Sequence, residues 1–157
     1  MSGCNCAMLL VDVIPGIGMD DVLFGWTREQ VEARVGPPEE AAEHAYEDGD
    51  HTVAWYYWSR GFSFHFDAED DWRLSRVEVD AASARLNGLR VIGLSRQGLL
   101  EFLGAEQAAW TEEPDSGLVD VQEWGVSFWL KEGVVVSVQW GVLFSDDDEA
   151  IWPHDDV

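Results

Sequence analysis

The hydrophobic positions of this chain follow two periods that succeed one another. From Gly25 to Pro38 (GWTREQVEARVGPP) the spacing is helical. Val31 and Val35 are four apart and share one face, while Glu29, Glu32 and Arg34 take the wet side. Thr27 stands where an N-cap belongs and Gln30 follows three residues later, which makes a reciprocal capping box. Trp26 before the cap and Val31 at the fourth helical position make a hydrophobic staple. Gly36 and Pro37 then stop the helix. The frame returns at Gly93–Gly104 (GLSRQGLLEFLG). There Ser95 is the cap, Leu94 and Leu99 the staple, and Leu99, Leu100 and Leu103 the apolar stripe, with Gly104 closing it. Gly98 stands where Gln30 stood, so the second capping box is lost and the helix is weakened by about 1 kcal/mol relative to Ala. A shared frame with changed chemistry predicts a duplicated unit.

Elsewhere the period is two. Met8 to Ile14 reads as a strand or extended lead-in, broken by Pro15–Gly18, and Met19 to Phe24 delivers the chain to the first helix. Thr52 to Trp58 (TVAWYYW) is β-branched and aromatic, and Ser59-Arg60-Gly61 makes a turn. Phe62, Phe64 and Phe66 then alternate with Ser63 and His65. Trp72 to Asp80 sets Val77 and Val79 against Arg76 and Glu78. Leu118 to Trp124, Gly125 to Leu130 and Val134 to Trp140 repeat this syntax. A three-residue loop, Lys131-Glu132-Gly133, joins the last two, and Val136, Val138 and Trp140 share a face. Glu39 to Asp50 lacks an apolar face and reads as a solvated connection; Ala81 to Arg90 connects to the second helix. Short turns imply antiparallel neighbours. The predicted fold class is α+β: two tandem repeats, each a short helix followed by a three-stranded antiparallel meander. They form a single domain over 1–157, with pseudo-repeats at about 14–80 and 86–141. An acidic C-terminal tail, 142–157, carries Ile151-Trp152-Pro153 as an apolar anchor that tucks back.

Charge is the feature of composition that most changes this picture. Thirty-one acids face nine bases, a formal net charge of −22. Such a surface repels phosphate backbones and anionic lipid, so nucleic-acid and membrane-surface binding are disfavoured. It speeds encounter with a basic partner, an effect that salt weakens. Solubility or adaptation to high internal salt would produce the same charge. Hydrophobic residues at 46% and nine Trp suffice for a packed core. No run approaches the ~20 apolar residues of a membrane helix. The stretch Ala7–Ile14 is interrupted by Asp12 and lacks a basic leader, so no signal peptide is expected and the cytoplasm is the default compartment. Cys4 and Cys6 are read as free thiols, too close for a useful staple and without a third cysteine to complete a metal site.

A Gly-x-Thr/Ser cap, a short valine- or leucine-faced helix, a closing Gly and then an antiparallel meander together resemble a recurring bacterial unit. It looks like the repeat of the β-lactamase inhibitor protein and of the SmpA/OmlA-type outer-membrane assembly lipoproteins. The matching positions are Gly25, Thr27, Val31, Val35, Gly36 and Pro37, and again Gly93, Ser95, Leu99, Leu103 and Gly104. The whole chain also resembles an uncharacterised family of bacterial cytoplasmic proteins that end in a segment such as Val138-Gln139-Trp140-Gly141 … Ile151-Trp152-Pro153. The inhibitor resemblance implies protein–protein binding through the sheet face and its loops. No lipid-attachment signal accompanies it.

Candidate chemistry is sparse. His44, His51 and His65 with Asp67 are the residue types of a zinc site, but no local spacing pre-orients two ligands. Asp67, Glu69, Asp70 and Asp71 lack the glycine and closing glutamate of a calcium loop. No G-x-S-x-G and no P-loop occur. The aromatics are more suggestive. Trp55, Tyr56, Tyr57 and Trp58 occupy both faces of one strand, and Trp129 points away from Val126, Phe128 and Leu130. Exposed Trp and Tyr beside the carboxylates of Asp67, Glu69, Asp70 and Asp71 have the composition of a protein-binding hot spot. The bland alternative is a sheet covered on both faces. The leading expectation is a non-catalytic acidic protein-binding module, an immunity or inhibitor protein against a basic partner such as a toxin nuclease domain, with no cofactor. A housekeeping domain without a dedicated site, and a metal-binding protein or enzyme, stay open beside it.

Overall fold

A computed structural model describes residues 11–153 apart from 46, 48, 50, 114, 116 and 148. Cys4, Cys6, Tyr46 and His154 lie outside the described residues. The chain is mostly β. Eight antiparallel strands form one continuous sheet: β1 (Glu40–Ala45), β2 (His51–Tyr57), β3 (Phe62–Asp67), β4 (Arg73–Val79), β5 (Thr111–Glu113), β6 (Leu118–Val121), β7 (Val126–Lys131) and β8 (Val134–Gly141). Their order is β5-β6-β7-β8-β4-β3-β2-β1. Two α-helices, α1 (Arg28–Val35) and α2 (Arg96–Ala105), two 3-10 turns (Ala68–Asp70 and Gln122–Trp124) and three small sheets accompany the large sheet.

This overturns the expected α+β class of two tandem repeats, each a helix followed by a three-stranded meander. The strands are shared in a single sheet, in which β4 pairs directly with β8 through Val79↔Val138 and Val77↔Trp140. Two segments without an apolar face are strands nonetheless. Glu40–Ala45 pairs along its whole length with β2, and Thr111–Glu113 pairs with β6. Both are edges, held by backbone hydrogen bonds rather than by burial, so the hydrophobic pattern carries no trace of them. Their charged residues suit edges, because they discourage pairing with another chain. The connection Ala81–Arg90 likewise contains a two-strand hairpin, Arg85–Leu86 with Leu89–Arg90.

One face of the sheet is the core. Phe62, Phe64, Phe66, Leu74, Val77, Val79, Val126, Phe128, Val138 and Trp140 are buried there. The helices and N-terminal hairpins bring Met19, Val22, Phe24, Val31, Leu99 and Leu103 against it. Trp140 also fastens the N-terminal strands to the sheet, its indole N–H donating to Gly18 O at 2.9 Å. A bulge between Trp129 and Leu130 shifts the pairing with β8. Val135 therefore turns inward and Val136 is 41% exposed, where simple alternation had grouped Val136 with Val138 and Trp140. The loop before β8 is also tighter than expected. Lys131 pairs with Val134, and Glu132 and Gly133 alone turn the chain, both at positive φ as a type I′ turn requires.

The helix signals are realised at both starts. Gln30 N–H donates to Thr27 Oγ1 at 3.2 Å, and Thr27 N–H donates to Gln30 Oε1 at 2.8 Å. Gly98 N–H donates to Ser95 Oγ at 3.0 Å. The exposed carbonyls at the end of α1 are met from the β2–β3 turn. Tyr57 OH donates to Gly36 O and Arg60 Nη1 to Val35 O. The second helix does not stop at Gly104; it runs to Ala105, and Gln107 takes the positive φ that redirects the chain. In the tail, Leu143–Phe144 pairs with Ala150–Ile151, and Trp152 packs against the core with the Arg73 guanidinium 5.4 Å over its ring.

Candidate binding face of the sheet

Strand alternation sends every second residue to the face opposite the core. Register then aligns these residues across strands. One transverse row crosses all eight strands in the order Thr111, Asp120, Ser127, Gln139, Glu78, Ser63, Tyr56, Glu40. It contains three carboxylates and no cation. Neighbouring rows bring His44, Thr52, Asp67 and Arg73 together, and Ala42, Ala54, His65 and Arg76. The small residues Thr52, Ala54, Ser63 and Ser75 are buried, while Tyr56, Glu78, Gln139 and Trp129 stay half-buried.

The aromatic strand is divided between the faces. Tyr57 is buried in the core against Phe62 and Phe64. Burial raises the pKa of its phenol. Trp55 packs edge-on against Phe66 from the core side and lines a groove of about 370 Å³ with Arg28 and Trp72. On the opposite face Tyr56 stacks on Trp58, with centroids 4.4 Å apart and planes 4° from parallel. Trp58 is 61% exposed and its indole N–H donates to Glu40 Oε1 at 2.9 Å, which fixes the ring beside the edge strand. Trp129 shares that face but sits four strands away, about 19 Å at ordinary strand spacing. The structure thus groups Tyr56 with Trp58, and groups neither with Trp129, Trp55 or Tyr57.

The acidic residues divide as well. Asp67 accepts from Thr52 Oγ1 at 2.5 Å and Ser75 Oγ at 2.6 Å, so its carboxylate serves the fold. Ala68–Asp70 form a short 3-10 turn at the sheet's end and Asp71 adopts a left-handed conformation. Burial, with Asp67 nearby, raises the pKa of Asp70; Arg73 opposes this. Glu69 and Asp71 are exposed at that end, away from the Tyr56–Trp58 stack.

Glu78 is the residue that sequence reading passes over. It is half-buried, makes no hydrogen bond or ion pair among the described residues, and has a pKa raised by burial and, further, by Asp80, against the pull of Arg76. The alternation Arg76–Val77–Glu78 placed it on the polar face; only the register reveals that it lies two strands from Tyr56. A groove of about 180 Å³ runs between them, lined by Tyr56, Trp58, Ser63, Glu78, Asp80 and Ser137 among others. Gly61 leads into its floor strand, and a φ of +80° and contact with Ala81 leave no room for a Cβ there. A third groove, of about 350 Å³, lies at the far edge, by Trp110, Asp120 and Glu123.

Ser63, His65 and Asp67 lie in line on β3, with Ser63 Oγ 3.1 Å from His65 Nε2. They do not form a proton relay. Both oxygens of Asp67 are engaged by hydroxyls, and burial, with Arg76 next in effect, lowers the His65 pKa to about 4. His44 and His51 sit on the exposed edge pair, His51 beside Glu43 at 3.7 Å. Among the described residues no three His, Cys, Asp or Glu side chains converge as metal ligands, and no helix is long and apolar enough to cross a membrane.

No protein-family model matches this chain, and no curated protein matches it. Among solved structures, the chain is similar to the uncharacterized protein yfeY from Escherichia coli. The identity is 12% over 84% of this chain and 99% of that one, with a TM-score of 0.47. It is similar also to an extracellular protein containing a SCP domain from Bacillus anthracis str. Ames. There the identity is 10% over 80% of this chain and 48% of that one, again with a TM-score of 0.47. Overlap at that level carries no argument about what this chain does.

Proposed function

We propose that the protein is a non-catalytic binding module whose polar sheet face, at the Tyr56–Trp58 end, engages a basic protein, in the manner of an immunity or inhibitor protein that blocks its partner. One observation carries this reading. A stacked aromatic pair, Trp58 exposed and Tyr56 half-buried, lies on a face whose transverse row holds three carboxylates and no cation. Aromatic anchors beside unneutralised carboxylates favour a basic surface by contact and by charge, and the net charge of −22 steers that surface in. A toxin nuclease domain is a partner of the right charge.

The test is capture from the source lysate by the immobilised protein and by its Trp58→Ala variant, at low and high salt. Trp58 is mostly solvent-facing, so its removal leaves the core intact. A basic protein held by the natural chain at low salt is expected to be released at high salt and lost on Trp58→Ala. Capture that survives both changes, or no basic protein at all, would sink the reading.

A further inference from the structure

We propose that the groove between the Tyr56–Trp58 stack and the carboxylates of Glu78 and Asp80 receives one arginine side chain of the partner, its guanidinium against the aromatic pair and its N–H fork on Glu78. The inference rests on the reading above, that this face meets a basic protein, and deepens it by naming the group that enters.

Four observations converge. The groove is bounded by two aromatic rings on one side and two carboxylates on the other. The rings are held: they stack on each other, and Glu40 fixes the Trp58 indole. Glu78 is half-buried with no hydrogen-bond or ion-pair partner among the described residues, whereas Glu40 and Asp120 in the same row have theirs in Trp58 and Ser127. The nearest cation on its own strand, Arg76, lies one row away beside His65 and influences Glu78 only through space. A carboxylate partly withdrawn from water and left without a donor gains when a cation supplies the missing bonds. Of the two cationic side chains arginine suits the place better. Its planar group stacks on an indole or phenol and gives a carboxylate two parallel N–H bonds, which an ammonium cannot.

The probe is a capped tripeptide, acetyl-Gly-Arg-Gly-amide, titrated into the ¹⁵N-labelled full chain while the indole N–H signals of the nine tryptophans are followed. The same peptide with citrulline, which keeps the shape and removes the charge, is the comparison. The Trp58 signal is expected to move and saturate with the arginine peptide, and to respond at least about tenfold more weakly to citrulline. Glu78→Gln should weaken the arginine titration roughly tenfold, and Asp80→Asn by less. Asp146→Asn, in the tail, should leave it unchanged. Equal response to both peptides, or no change in either Glu78→Gln or Asp80→Asn, overturns the assignment; should Glu78→Gln unfold, Asp80→Asn decides alone. The two readings separate cleanly. If the peptide fails to bind while partner capture is still lost on Trp58→Ala, the groove assignment falls and the binding module stands. If the peptide binds and no partner is captured, the groove stands and the module reading falls.

Discussion

Two residues on the polar face respond to acid in opposite directions. His65 has its pKa lowered to about 4 from 6.5, first by burial and then by Arg76. A group depressed in the folded state adds stability that is full above the unfolded value and lost as pH falls through the folded one. The window for His65 is therefore pH 6.5 down to about 4, and the loss over it is up to about 3 kcal/mol. Glu78 is raised, first by burial. Its contribution is full below the unfolded carboxylate value and disappears as pH rises through the folded one. Urea denaturation from pH 7 to pH 4 should show His65→Asn losing much less stability than the natural chain over that range. In the same series Glu78→Gln should be as stable as the natural chain at pH 7, or more so. A His65→Asn variant that loses stability as steeply as the natural chain would show that the imidazole is not withdrawn from water. A Glu78→Gln variant less stable at pH 7 would mean that the carboxylate has a partner in the fold, which would also count against an open acceptor in the groove.

At the scale of elements, the two helices differ in one capping bond. The box at α1 is complete, whereas Ser95 has no reciprocal side chain because Gly98 occupies the third position. Thr27→Ala and Ser95→Ala each leave one backbone donor unmet, that of Gln30 or Gly98, and each should cost about 1 kcal/mol, since the N–H of residue 27 keeps its bond to Gln30 Oε1. Calorimetric melts of the two variants check this. Equal and negligible shifts would show that tertiary contacts alone hold the helix starts. These caps were fully legible in the sequence, because a cap is local chemistry within four residues. So were β2, β3, β4, β7 and β8, whose inward residues are large and apolar. The edge strands were not, since Glu40–Ala45 is held by backbone pairing to β2 and buries almost nothing. Nor was the inward turn of Val135, which depends on a bulge in the opposite strand. The site was legible only by halves. Period two divides Tyr56 and Trp58 from Trp55 and Tyr57, but it cannot say which pair is covered. Glu78 joins them only through a register set by β3 pairing on both sides, a long-range fact that no local spacing contains.

For the whole molecule, charge should act on stability and on binding with opposite signs. Nine bases cannot neutralise thirty-one acids, which leaves −22 to be carried by one small surface. Among the described residues the bases Arg34 and Arg96 form close ion pairs, with Asp21 and Glu112. Most of the carboxylates repel one another in the folded state more than in the expanded one, and salt reduces that repulsion as the screening length falls from about 10 Å at 0.1 M toward about 3 Å at 1 M. The melting temperature should therefore rise by several degrees between low salt and 0.5 M sodium chloride. Attraction to a basic partner weakens over the same interval. If the acidity served salt adaptation alone, neutralising any exposed carboxylate would help equally at low salt and cost nothing else. The binding reading requires a difference by position. Asp146→Asn, in the tail, should raise low-salt stability slightly and leave capture of the basic partner unchanged. Glu78→Gln should also not destabilise the free chain, yet should weaken capture. Thermal melts and capture on the same two variants, each at two salt concentrations, decide the matter. Two variants that match in both measurements would assign the charge to solubility and leave the polar face without a partner.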